Sequence, residues 1–249
     1  MKEPQFTRSP LENKTIFISG GARRIGKEIA LACALAGASI ILHHGHSDDE
    51  AEDTAQRITH IGRKAAIIKA DFSQPDEALK TITDKLIGVD NLYGLINNAS
   101  LFEPISFSQT TRLQWQTHMD INLTMPFLLS QYFAKKLAGR KGRIINMLDW
   151  RALRPGKDHF PYTITKSALA SMTKAMALAL SPEICVNGLA LGAILPPADG
   201  GKTEKIIQPV PMGRWANMDE VTDTILFLLT GPEYITGEII HLDGGRNLV

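Results

Sequence analysis

The chain has 249 residues, of which 44% are hydrophobic and 21% charged, as in a globular protein that buries a full core. This balance excludes a disordered chain, and a formal net charge of +1 gives no field that would attract nucleic acid or an anionic membrane. We therefore expect a small-molecule substrate as partner, with neither nucleic acid nor a membrane.

Cysteine usage and the N-terminal segment indicate the compartment. Cys33 and Cys185 are too few for a disulfide framework and lie in apolar segments, which favours free thiols in a reducing cytoplasm. Residues 1–14 lack the apolar core of a signal peptide, and no apolar run approaches the ~20 residues that span a bilayer. We expect a cytoplasmic protein with a single domain over 1–249, in which 1–13 form a flexible N-terminus.

Short apolar runs alternate along the chain with longer segments of helical periodicity. This alternation is typical of a parallel sheet with crossover helices, and continuously apolar strands indicate burial on both faces. We predict a Rossmann-type α/β fold, a doubly wound, seven-stranded parallel sheet with helices on both faces. The predicted strands are 15–19, 39–43, 65–69, 92–97, 142–148, 184–189 and 238–241. The predicted helices are 25–36, 49–61, 76–87, 113–137, 162–180 and 218–229, and 191–211 is predicted as a substrate loop.

A glycine-rich turn, Ser-Gly-Gly-Ala-Arg-Arg-Ile-Gly at 19–26, joins the first predicted strand to the first predicted helix. Glycines such as Gly20 and Gly26 let the backbone approach a pyrophosphate, and the helix N-terminus offers free N–H groups. The guanidinium forks of Arg23 and Arg24 suit phosphate oxygens, with a solvated basic turn as the alternative. The turn therefore predicts a dinucleotide site.

The segment after the second strand bears on the choice between NAD and NADP. An acidic residue there usually marks NAD, because it holds the ribose hydroxyls. Here 43–47 reads His-His-Gly-His-Ser, whose imidazoles and Ser47, together with Arg23, can donate to a 2′-phosphate that a carboxylate would repel. We therefore favour NADPH. Asp48 folding back onto the ribose is the competing interpretation, and a metal site at the histidines is a third, for which the sequence places no further ligand.

Tyr162 and Lys166 stand four residues apart at the start of a predicted helix, so they share one face. A phenol with a pKa near ~10 is a poor acid–base at neutral pH, and a nearby ammonium favours its anion. The pair therefore predicts a proton donor matched to hydride transfer. Asn-Asn-Ala at 97–99, Asn122 on the following helix and Leu-Asp-Gly-Gly at 242–245 strengthen this interpretation.

From Lys14 to Val249 the chain resembles the short-chain dehydrogenase/reductase superfamily. The glycine turn, Asn-Asn-Ala, Tyr-x-x-x-Lys, Pro-Met-Gly-Arg-Trp at 211–215 and the terminal Asp-Gly-Gly follow that superfamily's order and spacing. The resemblance implies that Tyr162 donates the proton, and that Lys166 holds the nicotinamide ribose and lowers the tyrosine pKa. It also implies that Asn122 anchors a proton-relay water.

Two departures from the superfamily pattern indicate a subfamily. Arg24 replaces the usual middle glycine of the turn, and Asp149 stands 13 residues before Tyr162, where a catalytic serine is usual. An ionised aspartate would repel a carbonyl oxygen that gains charge, so Asp149 suits a substrate with N–H groups, or a protonated carboxyl that donates to a ring nitrogen. A pterin satisfies both conditions. A carboxylate that only caps the next turn is the alternative.

In both departures the sequence is similar to the pteridine reductases, which carry the arginine before the last turn glycine and Asn-Met-x-Asp before the tyrosine. The resemblance implies that Phe102 sandwiches the pterin against nicotinamide and that Ser100 contacts cofactor and substrate. Phe102 as a loop anchor is the alternative. The sequence departs from the pteridine reductases at His46, where they carry an arginine, and from the common superfamily pattern at Leu191, where a proline is usual.

These observations predict an NADPH-dependent reductase that transfers hydride to a carbon–nitrogen double bond of a pterin or dihydrofolate. A ketone or aldehyde reductase of the same family and a non-catalytic NADP(H)-sensing protein are the alternatives. The predicted catalytic residues are Tyr162, Lys166, Asp149 and Asn122, and the predicted substrate-binding residues are Arg24, Ser100, Phe102, Asp149 and Tyr162. The predicted cofactor-binding residues are Gly20, Arg23, Arg24, Ile25, Gly26, His44, His46, Ser47, Asp71, Asn98, Ala99, Ser100 and Lys166, and no metal is predicted.

The predicted helices 113–137 and 167–180 carry many small or apolar side chains. Small side chains permit close helix approach, and these helices offer more apolar surface than one sheet face covers. In the resembled superfamily they form a four-helix dimer interface, and the C-terminal segment joins a tetramer. We expect a homo-oligomer, a dimer or tetramer, with full coverage inside the monomer as the alternative.

Overall fold

The computed structural model describes residues 9–196 and 204–249. Its strands are β1 (Thr15–Ile18), β2 (Ser39–His44), β3 (Ala65–Lys69), β4 (Leu92–Asn97), β5 (Gly142–Asp149), β6 (Ile184–Leu191) and β7 (Ile239–Leu242). They form one parallel sheet in the order β3-β2-β1-β4-β5-β6-β7, which confirms the predicted seven-stranded Rossmann-type α/β fold. The strand order reverses between β1 and β4, and α/β proteins bind ligands beyond the carboxyl ends of strands at such a point.

Helices cover both faces of the sheet, because alternate side chains of each buried strand point to opposite faces. Ile16 of β1 packs in a core cluster with Ile29 and Val221. Phe17, its neighbour, packs on the other face with Ile82 and Phe133. The helices are α1 (Arg24–Leu35), α2 (Asp48–His60), α3 (Pro75–Leu86), α4 (Arg112–Met119), α5 (Met125–Leu137), α6 (Phe160–Leu180), α7 (Glu204–Ile207) and α8 (Met218–Thr230).

The predicted continuous helix over 113–137 is interrupted. A π-helical turn, Asp120–Thr124, separates α4 from α5. Pro126 lies in the first turn of α5 and lacks the N–H that would bond the carbonyl of Asn122 in a regular α-helix. Such π-turns are frequent at functional sites, and this one carries a predicted site residue.

The N-terminal prediction needs correction within the described residues. Residues 9–13, predicted as part of a flexible N-terminus, are packed: Leu11 is fully buried, and its N–H donates to the carbonyl of Ala36 at 2.9 Å. The reason is that Leu11 supplies an apolar side chain to the core cluster beside α1. Residues 1–8 lie outside the described residues.

Parts of the predicted substrate loop 191–211 are regular secondary structure in the described residues. β6 extends to Leu191, which pairs with Leu242, and α7 forms within the remainder. Residues 197–203 of the predicted loop lie outside the described residues.

The two cysteines are free and buried, as predicted, and burial raises the pKa of the Cys33 thiol to about 12. Within 9–196 and 204–249, no helix has the length and apolar character needed to cross a membrane.

Candidate active site

Asp149 and Tyr162 meet at the carboxyl end of the sheet. Asp149 is the last residue of β5, and Tyr162 lies in the first turn of α6. The tyrosine hydroxyl donates to Oδ2 of Asp149 at 3.0 Å, and the backbone N–H of Arg151 donates to Oδ1 at 2.8 Å. Lys166, one helical turn after the tyrosine, is buried beside it, with Nζ 5.7 Å from the centre of the phenol ring. The structure therefore brings the three predicted side chains together.

The pKa of Tyr162 differs from the sequence prediction. Burial, followed by the charge of Asp149 and its hydrogen bond, raises the pKa of Tyr162 well above its ordinary value. The prediction that Lys166 lowers the tyrosine pKa is therefore wrong in this structure, because Nζ donates to the carbonyl of Met147 at 2.7 Å while a carboxylate faces the phenol. Burial lowers the pKa of Lys166 to about 8. The phenol is thus held in its protonated, donating form.

Asn122 fixes the loop that follows β4. Its amide nitrogen donates to the carbonyl of Leu101 at 2.9 Å, and its Oδ1 accepts from the N–H of Leu101 at 2.8 Å. The amide also donates to Thr165 of α6, and the hydroxyl of Ser100 donates to Oδ1, both at 3.2 Å. The buried side chain therefore ties the loop carrying Ser100 to the helix of Tyr162. The water-anchoring role implied by the resemblance stays a prediction.

Phe102 lies at the mouth of the site and is half exposed. Its ring is 4.6 Å from that of Tyr162 in an edge-to-face arrangement, and it stacks on the imidazole of His159 at 4.0 Å with an interplanar angle of 9°. The Arg151 guanidinium is 5.8 Å from the same ring. Neither His159 nor Arg151 is among the site residues predicted from the sequence. The available signal was a cluster of cationic and aromatic residues between Asp149 and Tyr162.

The glycine turn is closely packed against the end of β4. A Cβ on Gly20 would lie 2.9 Å from Cα of Ala99, and one on Gly26 would lie 2.1 Å from the carbonyl oxygen of Gly20. Asn98 donates to the carbonyls of Ser19 and Gly20 at 3.0 and 2.9 Å. Only glycine fits this cradle, so Gly20, Gly26, Asn98 and Ala99 form one packed unit. Their predicted role in binding a dinucleotide stays a prediction.

Arg23, Arg24 and Ile25 lead from the turn into α1. Arg24 has φ of 52°, a left-handed conformation that explains why glycine is usual at this position. Both arginine side chains are exposed, and neither has a hydrogen bond or ion pair among the described residues. Their guanidinium groups are therefore free to bind an anion, while Ile25 is partly buried against the core.

The histidine segment divides into a structural and an exposed part. His43 is buried: its Nε2 bonds the carbonyl of Ala70 at 2.9 Å, and its Nδ1 faces the N–H of Gly20 at 3.3 Å. The expectation that its imidazole donates to a phosphate is therefore wrong for His43, because both ring nitrogens already have partners within the fold. His44 is also buried, but its Nδ1 has no partner among the described residues.

The remaining predicted cofactor residues lie at the ends of β2 and β3. His46 is exposed, with Nε2 3.8 Å from a carboxylate oxygen of Asp71, and Ser47 precedes α2. Asp48 is paired with Lys69 at 2.8 Å, which gives it a partner other than a ribose. Across 9–196 and 204–249, no three histidine, cysteine, aspartate or glutamate side chains group as a metal site would require.

Comparisons with known proteins decide the family. The family described as enoyl-(acyl carrier protein) reductase matches residues 20–247. The 3-oxoacyl-[acyl-carrier-protein] reductase FabG of Aquifex aeolicus is 31% identical over 243 residues, which cover 94% of this chain and 98% of that protein. The chain is a short-chain dehydrogenase/reductase.

Solved structures place this short-chain dehydrogenase/reductase near oxidoreductases of different substrate classes. FolM alternative dihydrofolate reductase 1 from Brucella canis, crystallised with NADP, is 32% identical with a TM-score of 0.83, covering 96% of each chain. Acetoin dehydrogenase from Enterobacter cloacae is 28% identical with a TM-score of 0.87, covering 95% of this chain and 96% of the other. The chain is therefore an oxidoreductase whose substrate depends on its own site.

Proposed function

We propose that the protein is an NADPH-dependent reductase acting on a carbon–nitrogen double bond of a dihydropterin or dihydrofolate. The observation that carries this proposal is the hydrogen bond from the Tyr162 hydroxyl to Asp149 at 3.0 Å. A carboxylate occupies the place from which a hydroxyl would otherwise donate to a carbonyl substrate.

Both side-chain oxygens of Asp149 accept hydrogen bonds. It accepts from the Tyr162 hydroxyl and from a backbone N–H, and the Arg151 guanidinium lies 3.7 Å away. The ring amino and amide N–H groups of a pterin donate to such a carboxylate, whereas the oxygen of a ketone gains negative charge during reduction and would be repelled.

The dinucleotide fits the residues that are present. The glycine cradle leaves no room for a Cβ beside Ala99, the Nδ1 of His44 is buried without a partner among the described residues, and the exposed guanidinium groups of Arg23 and Arg24 suit phosphate oxygens. The FolM structure from Brucella canis, which contains NADP, supports this choice. When bound, NADPH supplies the hydride. Gly20, Ile25, Gly26, His46, Ser47, Asp71, Asn98, Ala99 and Lys166 complete the proposed cofactor site.

The chain's own side chains orient the substrate and supply the proton. Phe102 offers a half-exposed aromatic face for a planar ring, Ser100 lies on the same loop, and Arg24 follows the glycine turn at the start of α1. Tyr162, whose raised pKa keeps its proton in place, donates to the ring nitrogen. Asn122 holds the loop of Phe102 against the helix of the tyrosine, so that the two groups keep a fixed distance.

Substrate assays test the proposal. NADPH consumption is followed with dihydrobiopterin, dihydrofolate and a panel of ketones and aldehydes, and with NADH in place of NADPH. We expect turnover with the pterins and a preference for NADPH. The Tyr162→Phe variant is expected to bind NADPH and to consume it at a much lower rate. Turnover of ketones alone contradicts the proposal, and NADPH binding without turnover of any substrate supports a sensor instead.

A ketone reductase is the second candidate function. The similarity to the Aquifex FabG and to acetoin dehydrogenase favours it, since the names of these proteins specify a 3-oxoacyl substrate and acetoin, which both contain a ketone group. Asp149 counts against it, because a carboxylate repels an oxygen that gains negative charge. The ketone arm of the same assay decides between the two.

We also propose that the protein forms a symmetric dimer or tetramer. Leu178 on α6 is 85% exposed, and Phe127 on α5 is also exposed. Large apolar side chains exposed on α5 and α6 favour burial against a second copy. The molar mass in solution, measured by light scattering, tests this, and a monomer at micromolar concentration contradicts it.

A further inference from the structure

Arg151 lies between the two groups that the proposed function requires. Its Nη1 is 3.7 Å from Oδ1 of Asp149, and its guanidinium carbon is 5.8 Å from the centre of the Phe102 ring. The side chains of Arg151 and Asp149 are only 19% and 16% exposed. This contact is therefore unlike the solvent-screened ion pairs of protein surfaces, which contribute little.

A second path leads from Arg151 to the same aromatic ring. Nη2 donates to Oδ2 of Asp158 at 3.1 Å, and that oxygen is 3.0 Å from Nδ1 of His159. The imidazole of His159 in turn stacks on Phe102. One guanidinium thus connects the end of β5, the loop before α6 and the loop after β4.

The guanidinium of Arg151 also lies over the indole of Trp150. Arg151 lies 4.8 Å from the indole centre, and Arg246 of the C-terminal segment lies 4.7 Å from it. The Nε of Arg151 is buried and has no hydrogen-bond partner among the described residues. Stacking on aromatic rings suits a planar guanidinium, and a lysine ammonium at this position would keep the charge but lose the planar fork.

We propose that Arg151 is a positioning residue that holds the Asp149 carboxylate and the Phe102 ring at a fixed separation. A planar heteroaromatic ring stacked on Phe102 then presents its N–H groups to the carboxylate. The inference rests on the proposed function and extends it, because it names a residue that determines substrate specificity without itself exchanging a proton.

Three variants test this role: Arg151→Gln, Arg151→Lys and, as the matched control, Arg246→Gln. Arg246 contacts the same indole, but neither Asp149 nor Phe102 is among its contacts in the described residues. We expect Arg151→Gln to lower kcat/KM for the dihydropterin about 100-fold, since small misplacements of a bound ring cost that much. The Kd for NADPH and the Tm are expected to stay at the wild-type values. Arg151→Lys is expected to restore kcat in part while KM stays raised, and Arg246→Gln to resemble wild type.

The outcomes separate the two proposals. Wild-type turnover of dihydropterin, with Arg151→Gln indistinguishable from Arg246→Gln, overturns the positioning role alone. The positioning role is also overturned if Arg151→Gln lowers the NADPH affinity and the Tm together with kcat/KM, because that pattern indicates a purely structural residue. Wild type that reduces no pterin overturns the proposed function, and the positioning role with it.

Discussion

The hydroxyl of Tyr162 donates to the carboxylate of Asp149 across 3.0 Å, at the edge of the sheet where β5 ends and α6 begins. The contact has two consequences. Together with burial, which is the larger cause, it raises the pKa of the phenol, so that the proton stays on the tyrosine at neutral pH, and it places a carboxylate beside the hydroxyl that we propose as proton donor. The proposed reduction of a carbon–nitrogen double bond depends on both.

Activity is expected to depend on the protonation of Lys166. Burial lowers the pKa of this ammonium from 10.5 to about 8, so the lysine is charged below pH 8 and neutral above it. Because the charged form is the one suited to binding a ribose and balancing Asp149, kcat/KM is expected to fall as pH rises through about 8. A pH profile of kcat/KM measures this. Lys174→Met, a change at an exposed lysine on the same helix, should leave the profile in place, and a flat profile to about pH 10 would contradict the expectation.

Stability in acid is expected to depend on His43. Burial lowers the pKa of its imidazole in the folded chain to about 4, against an ordinary value of 6.5. The unfolded chain therefore binds the proton first, and the folded state loses stability as pH falls from about 6.5 to about 4, by at most ~3 kcal/mol.

Urea unfolding at about pH 7 and about pH 4.5 measures this loss for wild type, His43→Gln and the control His60→Gln. His60 is exposed on α2. We expect the pH dependence to shrink in His43→Gln and to persist in His60→Gln. Equal pH dependence in all three proteins would show that His43 does not carry it.

Substrate affinity is expected to depend on the ring of Phe102. Phe102 and Phe107 lie on the same segment after β4 and are 50% and 74% exposed, so their replacement by alanine leaves no large cavity. Phe102→Ala is expected to raise KM for dihydropterin about tenfold, the loss of one aromatic stack, while the Kd for NADPH is unchanged. Phe107→Ala is the matched control and should match wild type. The prediction is wrong if both variants change KM equally.

The glycine cradle is expected to be necessary for cofactor binding. In Gly26→Ala the new Cβ would lie 2.1 Å from the carbonyl oxygen of Gly20, so the turn must shift. We expect the Kd for NADPH, measured by fluorescence titration, to rise about tenfold or more, a loss of ~1.4 kcal/mol. Gly88→Ala is the control, since its Cβ meets no atom within 4 Å. Wild-type affinity in Gly26→Ala would place the cofactor elsewhere.

The fold, and the proximity of Asp149 to Tyr162, could be predicted from the sequence. Strand and helix periodicity put the end of β5 and the start of α6 at the same edge of a parallel sheet, and the motifs named the side chains. Arg151 and His159 were not predictable in the same way, because the path of the loop over 150–159 decides what they contact. That path depends on packing against Trp150 and Phe102, which no local pattern encodes.

His43 illustrates a different limit. Its residue type suggested an exposed phosphate donor, but in the structure its ring stacks on Phe72 at 3.9 Å and supports the glycine turn from inside. The interruption of the helix at Asp120–Thr124 was also missed, although Pro126 was a visible signal. For His43 a tertiary contact outweighed what the residue type suggested, whereas the interruption of the helix follows from a local feature, the N–H that Pro126 lacks.

The most direct test of the central claim compares wild type with Asp149→Asn and Asp149→Ser in paired assays with dihydropterin and a ketone. Asparagine keeps the shape of the side chain but removes its charge, and serine supplies the hydroxyl donor that a carbonyl substrate needs. We predict that both variants bind NADPH as wild type does and lose at least ~100-fold in kcat/KM for dihydropterin, and that Asp149→Ser gains ketone reduction. Undiminished pterin reduction in Asp149→Asn would contradict the claim that the charge of this carboxylate selects the substrate.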